Sequence, residues 1–418
     1  MNLANKLFKG DRVIWIIFMF LCLISLVEVF SATSTLTYKS GNYWGPIIRH
    51  ATILLSGFGL ILILHNIPHK YFSLLILLLP VSAVLLLLTL AFGKTINEAE
   101  RSLDIFGFGF QPLELGKLAC IVFVAFLMSK RSMFTQDQIF YTILIGVSII
   151  CGLIFKENLS TCGMLFVICY IMMIIGQMPL KKMLFLTVAG LALASLLLLA
   201  LVKLPDDSLP GRFVTWKSRI LDFTKEKQAL DPKTYDLSKN EQVGHAQIAI
   251  ARGGVFGKLP GHGQQRDFLP LAYADYIYVI VIEELGVFGG IFVLLLYIML
   301  MIRVGMIAKR CDKLFPKYLV LGCGLIIVTQ AFMNMAVAVD IFPVTGQPLP
   351  LISRGGTSVL ITCVYFGLIL SVSRFGAGIG NEEDEEEEDE ENDVVEIETD
   401  ISDNMPLLAI ESVTEIKE

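Results

Sequence analysis

Charged residues are scarce in this chain, and long stretches contain none. Asp, Glu, Lys and Arg make up 17% of its 418 residues, whereas 55% are hydrophobic and the mean hydropathy is +0.69. A soluble globular protein has a smaller apolar fraction, and about a quarter of its residues are charged. Because uncharged runs long enough to cross a bilayer recur, the composition excludes a soluble fold and predicts an all-α polytopic membrane protein.

The sequence also lacks the signatures of disulfide, zinc and nucleotide sites. Its eight cysteines form no Cys-x-x-Cys pair, and seven lie in or beside apolar runs, where cysteine acts as a small hydrophobe. His65 and His69 have helical metal spacing, but Pro68 between them breaks the helix. The segment ARGGVFGKLPGHG at 251–263 fails the P-loop spacing and is interpreted as a tight loop with exposed amides. We expect no organic cofactor, no protein-held metal site and no nucleic-acid partner.

Ten apolar runs are predicted to span the membrane, within a domain covering residues 1–375. They are 13–31, 46–65, 71–92, 113–128, 138–155, 161–176, 182–202, 276–302, 317–339 and 352–373. A large extracytoplasmic loop, residues 203–273, separates the seventh run from the eighth. The first run is long enough to span and has no small-residue cleavage pattern after it, so we expect no cleavable signal peptide.

The charge distribution predicts the orientation. On the side of the N-terminus the short loops and helix ends collect 14 Lys and Arg residues, against six in the short loops opposite, so both termini should be cytoplasmic. The net charge of −6 conceals an acidic tail, because residues 381–418 hold 18 of the 39 acidic residues and one lysine. Residues 382–391 are all acidic, so 376–418 should be a disordered cytoplasmic tail, either plainly solvated or ending in a short docking peptide.

One acidic residue stands directly between the large loop and the eighth apolar run. Asp275 at the mouth of a membrane helix is costly to desolvate, which makes it a functional candidate. The alternative is a helix-capping aspartate. The loop before it is rich in Arg, Gly and His, which suits a polar, anionic substrate at the membrane surface and favours the functional interpretation.

Two further charged segments have both a structural and a functional interpretation. Glu114 and Lys117 are three residues apart, so they share a helix face and can pair, either at the start of a substrate groove or as a snorkelling interfacial pair. The segment GRFVTWKSRI at 211–220 places Arg212 and Arg219 among aromatic residues. It is typical of an interfacial helix that meets phosphate-bearing lipid, or of an ordinary surface helix.

The segment DIFPVTGQPLPLISRGGTS at 340–358 has three prolines and three glycines, which force irregular backbone near the last apolar run. Irregular backbone at membrane depth is tolerated only where it is buried in protein or lines a wet cavity. The segment therefore predicts a shaped cavity. Its polar lining could include Thr345, Gln347, Ser353, Arg354, Thr357 and Ser358.

Taken together, these segments resemble the SEDS family of polytopic peptidoglycan polymerases. The matching stretches are GFGFQPLELGKLA at 107–119, QIAIARGGVFGK at 247–258, FLPLAYADYIYVIVIEELG at 268–286 and PVTGQPLPLISRGGTS at 343–358. The resemblance covers about residues 10–375, and QRDFLP and SRGGTS bring it closer to the cell-division (FtsW) type than to the elongation (RodA) type. It implies polymerisation of lipid II at the outer face of the bacterial cytoplasmic membrane, at the division site.

The resemblance also implies roles for residues and partners. Asp275 would be the catalytic base, and Arg101, Glu114 and Lys117 would belong to the substrate groove. The leaving diphosphate would be stabilised by a divalent cation, Mg²⁺ or Mn²⁺, or by arginines. The arginine candidates are Arg212, Arg219, Arg252 and Arg266. A class B penicillin-binding transpeptidase and other cell-division proteins would be the partners.

The chain departs from the family pattern at three places. The family's His-Thr-Asp is Tyr-Ala-Asp at 273–275, its Pro-Asp-Leu-Gly turn is Glu-Asn-Leu-Ser at 157–160, and the tyrosine of its Ser-Tyr-Gly-Gly signature is Arg354. Two other functions stay open on the sequence alone. A lipid II flippase would need polar lining through the full membrane depth, and a non-catalytic scaffold would only recruit the transpeptidase.

Overall fold

The computed structural model describes most of the chain as helices. It covers residues 8–33, 44–92, 94–96, 99–105, 108–205, 211–228, 241–269 and 272–375. The first helices are α1 (Arg12–Ala32), α2 (Gly45–Leu64), α3 (Leu78–Phe92, after a 3₁₀ segment His69–Leu77), α4 (Pro112–Ser129), α5 (Gln136–Phe155), α6 (Leu159–Ile175) and α7 (Leu180–Lys203). The others are α8 (Gly211–Gln228), α9 (Glu241–Gly253), α10 (Ile277–Arg310), α11 (Leu314–Ala338) and α12 (Gly356–Phe375).

Each of the ten predicted apolar runs overlaps one of these helices, which confirms the helical membrane fold. Nine helices in the described residues are long and apolar enough to cross a bilayer, with His69–Phe92 counted as one. The remaining run, 161–176, forms α6, which is apolar but has only 17 residues. The chain is a multi-pass membrane protein. The predicted acidic tail lies outside the described residues.

Three helices form the centre of the bundle, and others lie at its edge. Most of the membrane segment is buried inside the protein in α4, α11 and α12, whereas little is buried in α2, α3 and α7. The edge helices expose long apolar side chains, as lipid-facing surfaces do, among them Leu184, Phe185 and Leu191 of α7. Buried polar residues of the central helices include Glu114 and Lys117 of α4 and Gln330 and Asn334 of α11.

Local sequence signals explain where several helices begin. Asp11 caps α1 by accepting from the amides of Val13 and Ile14. Thr135 and Gln138 form a capping box at the start of α5. Helix α10 is longer than predicted, with 34 residues, and it contains a kink at Gly286, where φ is 75°.

The connection between α3 and α4 differs from a plain loop. Three short strands, β1 (Lys94–Ile96), β2 (Ala99–Ile105) and β3 (Phe108–Phe110), form an antiparallel sheet in the order β1-β2-β3. The large loop likewise has secondary structure, because α8, α9 and a 3₁₀ turn, Gln265–Asp267, fall within it. Both segments lie at the same end of the bundle as the start of α10.

Candidate functional site

Asp275 stands just before the first turn of α10, with Tyr276 as the N-cap residue. Its backbone is fixed by Asn334 of α11, whose amide nitrogen donates to the Asp275 carbonyl oxygen at 2.8 Å and to the Gln347 carbonyl oxygen at 2.7 Å. Asn334 is buried. One side chain of the central helix thus joins the aspartate to the irregular segment at 340–358.

Asp275 lines a cavity of about 230 Å³ at this end of the bundle. The other lining residues are Gln111, Leu113, Glu114, Glu157, Asn158, Ala274, Gly346, Gln347, Pro348, Arg354, Gly355, Gly356 and Ser358. Three carboxylates and one guanidinium thus share one cavity. The prediction that the Pro- and Gly-rich segment shapes a cavity is confirmed.

Glu114 and Lys117 form a buried ion pair beside this cavity. The Lys117 Nζ lies 2.9 Å from Glu114 Oε1 and donates to Gln330 Oε1 at 2.9 Å. Lys117 is fully buried, so the snorkelling alternative is wrong. Gln330 in turn donates to the Pro348 carbonyl oxygen at 3.0 Å. The lysine therefore links the α4 carboxylate to α11 and, through it, to the cavity wall.

The turn before α12 is bonded to the residues that precede Asp275. The Ser353 hydroxyl donates to the Ala274 carbonyl oxygen at 2.6 Å, and the Arg354 amide donates to the Tyr273 carbonyl oxygen at 2.9 Å. The Arg354 guanidinium lies 5.1 Å from the centre of the Tyr273 ring. Burial lowers the pKa of this guanidinium, but an arginine remains cationic in a protein.

The remaining predicted polar residues of this segment support the wall from behind. Gln347 also donates to the Thr161 hydroxyl of α6. Thr357 donates to the Gly109 carbonyl oxygen at 3.2 Å and accepts from the Gln111 amide at 3.3 Å, which connects β3 to α12. Thr345 is buried and does not belong to the cavity lining among the described residues.

The four loop arginines are not part of the cavity lining that the structure describes. Arg219 donates to the Val344 carbonyl oxygen at 3.0 Å, Arg252 donates to Gln264 at 2.6 Å, and Arg266 donates to the Gly261 carbonyl oxygen at 2.8 Å. Arg212 lies half-buried on α8. Arg101 lies in β2, and its side chain is outside the described residues. Their role toward a diphosphate stays a prediction.

The sequence model of a family of cell cycle proteins, named for FtsW, RodA and SpoVE, matches residues 11–377. The chain belongs to this family. The match spans the whole described bundle, including the cavity and the ion pair of α4.

Individual relatives support the same assignment over most of their lengths. A protein of Saccharophagus degradans is 30% identical over 84% of this chain and 89% of its own length. One from Bacillus subtilis is 29% identical over 85% of this chain and 88% of its own. Both are named probable peptidoglycan glycosyltransferase FtsW.

Solved structures of family members share the fold. One chain, from a peptidoglycan synthase complex that coordinates polymerisation and crosslinking, has a TM-score of 0.70 and 24% identity, with 87% of this chain and 98% of that chain covered. The rod shape determining protein RodA of Thermus thermophilus has a TM-score of 0.62 and 22% identity, with 88% and 97% covered.

Where this chain departs from the family turn at 157–160, the geometry shows what each residue does. Asn158 caps α6 by accepting from the Thr161 amide at 3.1 Å. Glu157 is 97% buried and lines the cavity, a contribution that the motif comparison did not reveal. Gln330 and Asn334 were also missed. Their signal was two amides four residues apart in an otherwise apolar helix.

The glycine-rich loop of this family member does not have the exposed amides that its sequence suggested. The amides of Gly261 and Gly263 donate to the Glu284 carboxylate at 3.0 and 3.3 Å. Those of Gln264 and Gln265 donate to Glu283 at 3.0 and 3.2 Å. The loop amides therefore solvate two buried carboxylates of α10, and they are not available to bind a phosphate.

Proposed function

We propose that this protein is a peptidoglycan glycosyltransferase that polymerises lipid II into β-1,4 glycan strands during septal cell-wall synthesis. The family match and the names of its relatives support this class of activity. The observation that carries the mechanism is the position of Asp275, a carboxylate on the wall of a polar cavity at the end of a membrane helix. Such a site brings a base to the surface where a lipid-linked sugar is held.

In the proposed reaction the acceptor's GlcNAc 4-hydroxyl attacks the anomeric carbon of the donor's MurNAc. A carbon–oxygen bond forms to the acceptor, and the bond between the anomeric carbon and the diphosphate oxygen breaks. Undecaprenyl diphosphate leaves, and the α-linked donor becomes a β-1,4 link. Asp275 takes the hydroxyl proton, because a positioned base typically accelerates such a step about 10²–10⁴-fold.

The charged residues around Asp275 divide the other tasks. Arg354 is the guanidinium on the cavity wall, and we assign it to the negative charge that develops on the leaving diphosphate. Glu114 and Gln347 offer hydrogen-bond acceptors and donors to the sugars. Lys117, engaged with Glu114 and Gln330, positions these groups instead of meeting the substrate.

The divalent cation expected from the resemblance has no ready-made site in the part of the chain that the structure describes. No group of three or more His, Cys, Asp or Glu residues there could hold a metal ion. The mechanism therefore has no step through a protein-held cation. The charge balance at the diphosphate rests on Arg354 and on any arginine that moves toward the cavity when substrate binds.

The membrane setting suits a substrate with a polyprenyl anchor, since hydrocarbon tails can stay in the bilayer while the sugars enter the cavity. We infer that the cavity faces the outside of the cytoplasmic membrane, that both termini are cytoplasmic, and that the protein works at the division site. A class B penicillin-binding transpeptidase would crosslink the product strands. The similar chain from a synthase complex supports a partner of this kind.

The test is a gel of glycan products made from labelled lipid II by purified protein, with and without a transpeptidase. Wild type should give a ladder, and Asp275→Asn should lose it while keeping its thermal stability. Asp312→Asn, an exposed change in the connection between α10 and α11, is the matched control and should leave the ladder intact. Asp275→Asn polymerising at the wild-type rate would overturn the assignment.

The two rival functions predict different results for the purified protein reconstituted in lipid vesicles and for growing cells. A flippase would move labelled lipid II between leaflets, and neither wild type nor Asp275→Asn would make glycan. A scaffold would give no ladder with any variant, and cells carrying Asp275→Ala would divide normally. Either result would replace the enzymatic proposal.

A further inference from the structure

Two polar contacts join α1 to α10 at opposite ends, and their spacing matches a bilayer. At one end Arg303 Nε lies 2.7 Å from Asp11 Oδ2. At the other end the Ser31 hydroxyl donates to the Glu284 carboxylate. The contacts are 20 residues apart along α1, or about 30 Å at the helical rise. The hydrocarbon core of a bilayer is about 30 Å thick. If the two contacts lie at the two faces of the hydrocarbon core, as this spacing suits, the second is at the boundary on the Asp275 side.

The glycine-rich loop crosses this boundary beside the kink of α10. Phe256 packs on Phe288, with ring centres 5.7 Å apart. Phe288 is 15 residues from Arg303, about 22 Å along the part of α10 that follows the kink, so it lies roughly 8 Å inside the boundary. The loop tip, residues 254–257, is thus placed at the depth of the acyl chains.

The backbone of the tip exchanges hydrogen bonds with the backbone of α10. The kink at Gly286 frees amides and carbonyls of α10, and the loop takes them up. The amides of Val287 and Phe288 donate to the carbonyl oxygens of Gly254 and Val255, at 3.0 and 3.4 Å. In the other direction, two loop amides donate to the carbonyl oxygens of the glutamates before the kink at 3.0 and 2.8 Å. In a bilayer each unsatisfied backbone group costs several kcal/mol, so this exchange lowers the cost of immersion.

The side chains of the tip face outward and are apolar. Phe256 is 81% exposed and Val255 is 55% exposed. They continue the exposed apolar surface of α10, which includes Phe288, Ile291 and Phe292. None of the described residues covers Val255 and Phe256. At this depth in the bilayer, lipid acyl chains would cover them. The charged residues that flank the tip, Arg252 and Lys258, are exposed, and the Lys258 amide donates to the Glu283 carbonyl oxygen, so the polar surface begins beside the boundary.

We propose that residues 254–257 form a re-entrant tip that inserts into the leaflet on the Asp275 side and is covered by lipid acyl chains. The tip anchors the segment that follows it, residues 258–269, beside the kink of α10. The tip therefore holds the chain upstream of Asp275 at the membrane, whereas the aspartate itself is positioned by Asn334 of α11. This inference concerns the fold in the bilayer and does not depend on the proposed reaction.

The test is photocrosslinking of the full-length protein in vesicles of phosphatidylethanolamine and phosphatidylglycerol with radiolabelled acyl chains. Benzoylphenylalanine replaces Phe256 in one variant. In a positive control it replaces Phe292, which lies on the exposed face of α10. In a negative control it replaces Gln247, an exposed residue of α9 that bonds to Asp340 beyond the end of α11. All three sites are at the surface, so the substitutions leave the core intact.

The expected result is lipid labelling at position 256 that matches position 292 and exceeds position 247 by about fivefold or more, since only the first two lie at hydrocarbon depth. Equal labelling at 256 and 247 would overturn the proposal, because it would place the tip in water. Crosslinking of position 256 to a second copy of the chain, in place of lipid, would overturn it as well. A tip that takes lipid label only until a transpeptidase is added would confirm immersion and identify a competing partner.

Discussion

Two groups of buried acids lie at the same end of this molecule in opposite surroundings. At the kink of α10, Glu283 and Glu284 accept from loop amides, and Glu284 also accepts from Ser31 and from Arg266, whose Nη1 is 3.4 Å away. At the cavity, Glu114, Glu157 and Asp275 line open space. The first group is solvated by the protein itself, and the second faces a volume that a substrate can fill.

The hydrogen-bonding surroundings of these acids distinguish structural from functional carboxylates better than their positions in the sequence do. A buried carboxylate that already accepts three or four hydrogen bonds has little left to offer a ligand and is costly to disturb. A carboxylate on a cavity wall can change partners when a substrate enters. The glutamates of α10 therefore hold the loop against the helix, and the cavity acids carry the binding and the chemistry. The predictions below test this division, from the largest effect to the smallest.

The ion pair of α4 should give the largest loss of stability. Lys117→Met leaves the Glu114 carboxylate buried without its cation and Gln330 without a donor, so we expect a loss of about 3–5 kcal/mol. The measurement is denaturant unfolding in detergent. Lys313→Met, at an exposed position on the other side of the bundle, is the matched control and should change stability by less than about 0.5 kcal/mol.

A second variant shows whether the pair or the position matters. Combining Lys117→Met with Glu114→Gln removes both charges and should recover part of the lost stability. Glycan synthesis should not recover with it, because the cavity loses the Glu114 carboxylate. A double variant that is no more stable than Lys117→Met would show that the lysine acts through packing and not through its charge.

Substitution of Glu284, the carboxylate at the kink of α10, should lower stability without a matching loss of glycan synthesis. In Glu284→Gln the new amide nitrogen opposes the amide donors of Gly261 and Gly263 or the Ser31 hydroxyl, so we expect about 2–4 kcal/mol. Asp275→Asn should change stability by less, because asparagine keeps the size and shape of the aspartate and leaves the Asp275 carbonyl oxygen bonded to Asn334. Thermal unfolding of both variants in detergent measures the contrast, and equal shifts would refute it.

Two glycines of the tip give a matched pair of smaller changes. Both have positive φ, 56° at Gly254 and 78° at Gly257, so alanine costs about 1 kcal/mol of backbone strain at either. At Gly257 the added Cβ would also collide with the Glu284 carbonyl oxygen, whereas at Gly254 it meets open space. We expect Gly257→Ala to lose about 2–3 kcal/mol in unfolding titrations and Gly254→Ala about 1. Similar losses would mean that the loop is not held against the kink.

Sequence alone gave the helices because their signal is strong and local. Uncharged runs of this length have few alternatives to a membrane helix, and ten runs matched ten helices. The cavity followed from prolines and glycines at 340–358, since such a segment at membrane depth needs a protein or aqueous surface. Asp275 was identified by its place at a helix mouth. In each case one short segment contained the information.

The partners of the buried groups could not be predicted in the same way, because they come from distant segments. Lys117 donates to Gln330, which is more than 200 residues later in the chain. The loop amides donate to carboxylates beside a kink in α10, and Gly286 is the only local sequence signal for that kink. The loop arginines are predicted diphosphate ligands because a guanidinium pairs well with phosphate oxygens; they are Arg212, Arg219, Arg252 and Arg266. The sequence could not show that three of them donate to groups elsewhere in the loop and helix ends.

An effect on activity without an effect on the fold is expected at Arg354, which stands where the family signature has tyrosine. The hydrogen bond from the Arg354 backbone amide to the Tyr273 carbonyl oxygen does not involve the side chain. A tyrosine at position 354 could also stack on the Tyr273 ring, so Arg354→Tyr should keep the fold. We expect kcat/KM for lipid II to fall about tenfold, or about 1.4 kcal/mol, because one charge-assisted contact to the diphosphate is lost.

Arg374→Gln, at the far end of α12, is the control for removing an arginine and should leave kcat/KM unchanged. The loss in Arg354→Tyr should also shrink as salt is raised, since screening weakens the contact in the wild type more than in the variant. An unchanged kcat/KM in Arg354→Tyr would mean that another cation, such as Arg101, meets the diphosphate. The cavity acids would then work with a strand residue and not with the turn before α12.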